Sequence, residues 1–178
     1  MTKQKKEGQE AHLADLQNSL IAEYNKSLPE EYYTSMMLLS QSLLKSMAQY
    51  ERFAKQYDLT YNALMVLMCI RYIDREMSQS AISKILWLPK QTVGSVLNGF
   101  KKKGLIVEAP SSSDARAKVI TLTEEGKQFS DPIFERLQKI DSEAVQGISS
   151  EGLEAVVQSM NDYAEAFEKA FLETSASE

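Results

Sequence analysis

Leu105–Gly126 reads LIVEAPSSSDARAKVITLTEEG. Leu105, Ile106 and Val107 open a short β-strand, and Val119, Ile120 and Leu122 form a second. Pro110 and the Ser-Ser-Ser-Asp run between them are turn chemistry. Arg116 and Lys118 put positive charge at or near the hairpin tip. A pattern of two short helices separated by a turn lies directly upstream. A hairpin in that position is a wing, and an exposed Arg on a wing can enter the DNA minor groove, where negative potential concentrates.

Charge is unevenly spread. The 178-residue chain carries a net charge of −5. Residues 71–123 hold nine Lys/Arg against four Asp/Glu, residues 124–178 four against thirteen, and residues 1–70 seven against eight. The basic surplus falls on the helix-turn-helix and wing, as in a DNA reader set within an acidic protein. Chance clustering on a solvated face is the bland alternative.

Outward from the hairpin, the periodicity predicts a mostly α-helical protein with a small β-hairpin wing. Residues 1–29 form an N-terminal extension, disordered at first. Leu13, Leu16, Leu20 and Tyr24 then follow the 3/4 spacing of an extra helix. A long helix is predicted over 30–57, with the stripe Met36, Leu39, Leu43, Met47, Tyr50, Ala54 and Tyr57. Residues 58–123 form the winged helix-turn-helix. Within it Thr60 caps a buried helix to about Tyr72, and Ser78 caps a short one ending near Leu86. A further helix spans Lys90–Lys103 and is stopped by Gly104. Thr123 caps a connecting helix over 124–146, which Pro132 should kink or restart. After a break at Gly147–Ser150, the last helix, within 147–174, carries Leu153, Val156, Met160, Tyr163, Phe167 and Phe171. These end stripes exceed what a compact winged head needs. A helical dimerisation layer built on Met36, Leu39, Leu43, Leu153, Met160, Tyr163, Phe167 and Phe171 is one use, and intrachain packing is the other.

On a helical wheel of Lys90–Lys103, Val93, Val96, Leu97 and Phe100 share the inward face. Gln91, Ser95, Asn98 and Lys102 take the opposite face, flanked by Lys90 and Thr92. Gln and Asn can pair bidentately with adenine, and Ser and Thr suit bases or phosphates. Ser78, Gln79 and Ser80 open the preceding helix, where free N–H groups can take a phosphate. Gly94 and Gly99 weaken the reading helix by roughly 1 kcal/mol each relative to Ala. Close approach to DNA and indifferent surface choice explain them equally well.

The run SQSAISKILWLPKQTVGSVLNGFKKKGLI, the Asp114-x-Arg116 pair and VITLTEEG together resemble the MarR family of bacterial transcriptional regulators. With long helices at both ends, the resemblance extends over about 30–172. It implies a homodimer on a pseudo-palindromic duplex, with a recognition helix in each major groove and a wing Arg in each flanking minor groove, while the single cysteine suits a reducing cytoplasm. Arg116 then carries the minor-groove contact and Asp114 orients it. A repressor released by a small-molecule effector fits that pattern. The chain departs from the family in its longer lead-in and in Ala63, where Gln or Glu is common.

Other classes fit poorly. The single His12 lies in the polar N-terminus, so no Ser-His-Asp or Cys-His set is available. Neither GxGxxG nor GxxxxGK[ST] occurs. One His and one Cys give zinc no ligand set, and no cofactor or metal is expected. Cys69, in an apolar run, reads as a buried thiol. The longest apolar run, Ala63–Ile70, falls well short of the about 20 residues of a membrane span. The N-terminus lacks the apolar region of a secretory signal. Tyr32, Tyr33, Tyr50, Tyr72 and Trp87 either line an effector cleft or serve as core. The competing functional reading is a winged helix used for protein contact.

Overall fold

The computed structural model describes residues 15, 16, 19, 23, 30–73, 77–110 and 118–175. Asp114 and Arg116 lie outside the described residues, as does most of the extra helix predicted near the N-terminus. Asp15, Leu16, Ser19 and Glu23 within that stretch are helical. Six helices and one hairpin follow, in the order α1 (Glu30–Lys55), α2 (Tyr61–Tyr72), α3 (Gln79–Ile85), α4 (Lys90–Lys102), β1 (Ile106–Pro110), β2 (Lys118–Leu122), α5 (Glu124–Val145) and α6 (Ser150–Ser175). The chain divides into two compact units, residues 1–65 and 66–178.

In the first unit, α1 ends on Arg52 and Lys55, cations that complement the negative end of its dipole. Asp58 takes a left-handed φ of 55°, a conformation Asp tolerates, and the chain turns toward α2. Thr60 Oγ1 accepts from Ala63 N at 3.1 Å, the predicted cap. Ala63 leaves the usual capping box incomplete. Another donor of the same turn is satisfied from elsewhere, because Tyr61 N donates to Glu51 Oε2 at 2.6 Å. Phe53, Ala54, Leu59, Ala63 and Leu64 are buried here. Toward its start α1 is open, with Leu38, Leu43, Leu44 and Met47 exposed.

The second unit holds residues 66–123 of the predicted winged helix-turn-helix. Ser78 Oγ accepts from Ala81 N at 3.2 Å and caps α3. Val93, Leu97 and Phe100 of α4 are buried together with Ile82 of α3. Removing apolar area of this kind from water stabilises by about 1.5–3 kcal/mol per side chain. The end of α4 is a full Schellman stop. Gly104, at φ 71°, donates to Lys101 O at 3.0 Å, and Leu105 N donates to Phe100 O at 3.0 Å.

β1 and β2 pair antiparallel, from Ile106↔Leu122 to Pro110↔Lys118. Pro110 is therefore the last strand residue and not part of the turn. Both strands of a two-stranded ribbon are edges, and at its end the missing N–H of proline breaks no ladder. Ile120 N, facing away from β1, donates to Met77 O at 2.8 Å, which anchors the wing to the start of α3.

Thr123 joins wing and helix. Its Oγ1 donates to Gly104 O at 2.7 Å and accepts from Gly126 N at 2.9 Å, while its N–H donates to Leu105 O at 3.0 Å. Gly126 is forced by this closeness, since a Cβ there would lie 1.9 Å from Leu105 O. The Leu-Thr-x-x-Gly sequence is thus the joint between β2 and α5. α5 continues unbroken through Pro132, so the expected restart does not occur. Ile133, Phe134 and Leu137 are buried just beyond the proline and Ser130 just before it, so tertiary packing holds the helix across the lost hydrogen bond. α5 is also tied to the end of α2. Arg71 Nε donates to Asp131 Oδ1 at 2.8 Å, Gln138 Nε2 donates to Tyr72 Oη at 2.8 Å, and the Tyr72 ring meets Phe134 edge-on at 5.3 Å. α6 has no buried residue, and Leu153, Val156, Tyr163, Phe167 and Phe171 are each about half exposed or more.

Candidate nucleic-acid interface

The reading face is built from α4 upward. Its apolar residues point inward, so Gln91, Ser95, Asn98 and Lys102 are left exposed along the opposite side, with Lys90 exposed at its start. Thr92 is half-buried at the edge of that face. α4 is held at a fixed angle to α3 by Gln79, whose Nε2 donates to Lys90 O at 2.8 Å. Gly94 makes room for this amide, because a Cβ there would lie 2.8 Å from Gln79 Nε2. Gly94 therefore serves the packing of α3 on α4, while Gly99 borders open space. Two of the three residues expected to take a phosphate at the start of α3 have internal work: Ser78 caps the helix and Gln79 braces α4. Ser80 is half-buried.

Where the wing meets α4, Glu108 is a functional group that periodicity and motif did not single out. Its Oε2 accepts from Lys101 Nζ at 3.0 Å and from Lys118 Nζ at 3.2 Å. These hydrogen bonds, Lys101 first and Lys118 next, hold the Glu108 carboxyl below its ordinary value. Lys118 is thus ion-paired, yet its side chain stays 74% exposed. Lys101 lies on α4, Glu108 on β1 and Lys118 on β2, so one carboxylate ties the recognition helix to both wing strands. On one side of this clamp lies a groove of about 680 Å³ lined by Lys101, Gly104 and Thr123. On the other a smaller one of about 290 Å³ is lined by Ser78, Gln79 and Ser80. A signal for Glu108 is present in the sequence, because it is the sole acid between Met77 and Ser113.

Of the aromatics offered for a cleft or a core, Tyr72 and Trp87 lie in the second unit and differ in setting. Trp87 is 93% exposed in the turn between α3 and α4. The Tyr72 hydroxyl and ring are both engaged by α5, with Gln138 and Phe134. Cys69 is buried, and desolvation pushes its thiol up, away from the thiolate character a redox sensor needs.

Residues 57–117 match the MarR family model, the span from the approach to α2 up to the residue before β2. Over that span the chain is similar to the MarR family. Among curated proteins, this chain is 32% identical over 95 residues to the HTH-type transcriptional regulator SarZ of Staphylococcus aureus strain USA300. That alignment covers 53% of this chain and 64% of SarZ, so the chain spans somewhat under two thirds of the relatives it matches. Among solved structures, the MarR family regulator NMB1585 from Neisseria meningitidis aligns with TM-score 0.67 at 25% identity, over 79% of this chain and 98% of that one. The S. aureus MepR–DNA complex aligns with TM-score 0.63 at 18% identity, over 80% of this chain and 99% of that one, a likeness of fold. SarZ is named as a transcriptional regulator and NMB1585 as a MarR family regulator. Among the described residues, no helix is long and apolar enough to cross a membrane.

Proposed function

We propose that this chain is a cytoplasmic, homodimeric, sequence-specific DNA-binding transcriptional regulator. It acts as a repressor on a pseudo-palindromic duplex and is released by a small-molecule effector. The observation that carries the reading is the two-faced α4: Val93, Leu97 and Phe100 buried, with Gln91, Ser95, Asn98 and Lys102 exposed on the far side. A helix so placed after a braced α3 presents amide and hydroxyl groups to base edges in the major groove. Lys90 and Lys102 supply phosphate attraction at its two ends.

In this reading Arg116 enters the minor groove and Asp114 orients it, an assignment that rests on the wing sequence. Dimerisation uses Met36, Leu39 and Leu43 of α1 with Leu153, Met160, Tyr163, Phe167 and Phe171 of α6. The exposed apolar side chains along α6 support it, since an open stripe of this extent marks an interaction surface. Two winged heads in one dimer place two recognition helices about one helical turn of DNA apart, or a multiple of it. Selection of bound duplexes from a random-sequence library tests the proposal. Enrichment of two inverted half-sites at that spacing supports it. Absence of any enriched duplex, with a protein partner bound independently of salt, would favour the protein-contact alternative.

A further inference from the structure

Among the described residues, Trp87 makes no side-chain hydrogen bond or ring contact. Its backbone sits at φ 53°, a left-handed conformation that a bulky side chain rarely adopts and that glycine adopts freely. Its indole buries almost nothing, with 93% of the residue exposed. The turn is fixed by its neighbours instead. Leu86 N donates to Ile82 O at 3.0 Å, Leu88 N donates to Ser83 O at 3.1 Å, and Ser83 Oγ donates to Leu88 O at 2.6 Å. Leu86 and Leu88 on either side are half-buried. A tryptophan that strains the backbone and packs on nothing is best accounted for by a contact outside the chain.

The surroundings identify the kind of partner. Residues 77–104 contain Lys84, Lys90, Lys101, Lys102 and Lys103, with Glu and Asp absent from the segment. Trp87 lies between Lys84 and Lys90 in sequence, and both lysines are exposed. A flat apolar ring with a single N–H donor, set among cations, suits a polyanion with apolar sugar faces and phosphate acceptors. α4 starts three residues later, so a duplex that receives α4 in its major groove brings its backbone to this turn.

We propose that Trp87 is a DNA-backbone contact, with its ring against deoxyribose and its Nε1–H donating to a phosphate oxygen. The inference rests on the DNA-binding reading of α4 and adds a sequence-independent anchor beside it.

Trp87 is the only tryptophan in the chain, so its emission reports this position alone. The full-length protein is titrated at low salt with a dye-labelled random-sequence duplex pool, and binding is followed by dye anisotropy. Quenching of Trp87 by neutral acrylamide is measured in parallel. The expected result is a severalfold fall in quenching at duplex saturation. Trp87→Ala should bind roughly tenfold more weakly, as loss of a hydrogen bond to a charged acceptor implies. Trp87→Gly should bind as weakly while melting no lower than the parent, which separates contact from folding. Duplex binding by anisotropy with Trp87 still fully quenched would overturn this inference and leave the DNA-binding reading standing. No duplex binding would remove both. Shielding by phosphatidylglycerol vesicles but not by duplex would overturn it in favour of a membrane surface.

Discussion

The Gln79 side chain occupies the space that a side chain on Gly94 would fill. Its Nε2 lies 2.8 Å from the position of a Cβ there and donates to Lys90 O at 2.8 Å. Two glycines that look alike in the α4 sequence therefore differ in consequence. Gly99→Ala meets nothing within 4 Å and should stabilise the protein by up to about 1 kcal/mol, the helix-propensity gain. Gly94→Ala should realise little of that gain, because it displaces an exposed hydrogen bond worth roughly 0.5–1.5 kcal/mol. Thermal unfolding of both variants checks the order: Gly99→Ala above the parent, Gly94→Ala near it.

Gly126→Ala should be far more damaging. The added methyl meets the Leu105 carbonyl, which is backbone and already accepts from Thr123 N. Neither partner can rotate away, so α5 must separate from the wing. A loss of about 3 kcal/mol or more is expected, at the upper end of overpacking. Denaturant unfolding measures it, and an unchanged midpoint would show that the joint at Thr123 yields easily.

The Glu108 clamp has two separable effects. Glu108 is held below its ordinary value in the folded protein. Its contribution is therefore complete above the ordinary carboxylate range and is lost as pH falls through the lowered folded value. Glu108→Gln should lower stability at neutral pH by about 0.2–1 kcal/mol per lost pair, given the exposed lysine partners. In acid the difference from the parent should vanish. On DNA the sign reverses, because Lys101 and Lys118 become free for phosphates. Glu108→Gln should bind random duplex more tightly, with a salt slope steeper by about 0.9 for each further phosphate neutralised.

Self-association should follow the exposed stripe of α6. Sedimentation at micromolar concentration should give about twice the 20.1 kDa chain mass. The double variant Met160→Glu/Phe167→Glu should dissociate or unfold the protein. A persistent monomer of native helicity in the unsubstituted protein would remove the proposed dimer layer.

Much of this fold is legible because local chemistry and tertiary need coincide. Ser78, Thr60 and Thr123 are cap residues by type and act as caps. Gly104 marks a helix end and adopts the left-handed φ that this end requires. The buried face of α4 follows from the spacing of Val93, Leu97 and Phe100. What escaped the sequence depends on partners distant in the chain. Glu51 reaches Tyr61, Gln79 reaches Lys90, and Glu108 gathers two lysines from different elements. No periodicity encodes such pairs. The restart offered for Pro132 fails for the same reason, since Ile133 and Phe134 are buried within one continuous helix. Trp87 misled in the opposite direction: aromatic residues are usually packed, and this one stands in solvent.

The central claim is that the basic winged-helix surface binds duplex DNA through phosphate contacts. The most direct measurement is the affinity of the full chain for a library-selected duplex across a salt series. With ~6–10 phosphate contacts at about −0.9 each in log K against log salt, affinity should fall by roughly 10³–10⁵ between about 50 and 200 mM salt. A flat affinity over that range, or no duplex binding at the low-salt end, would contradict the account.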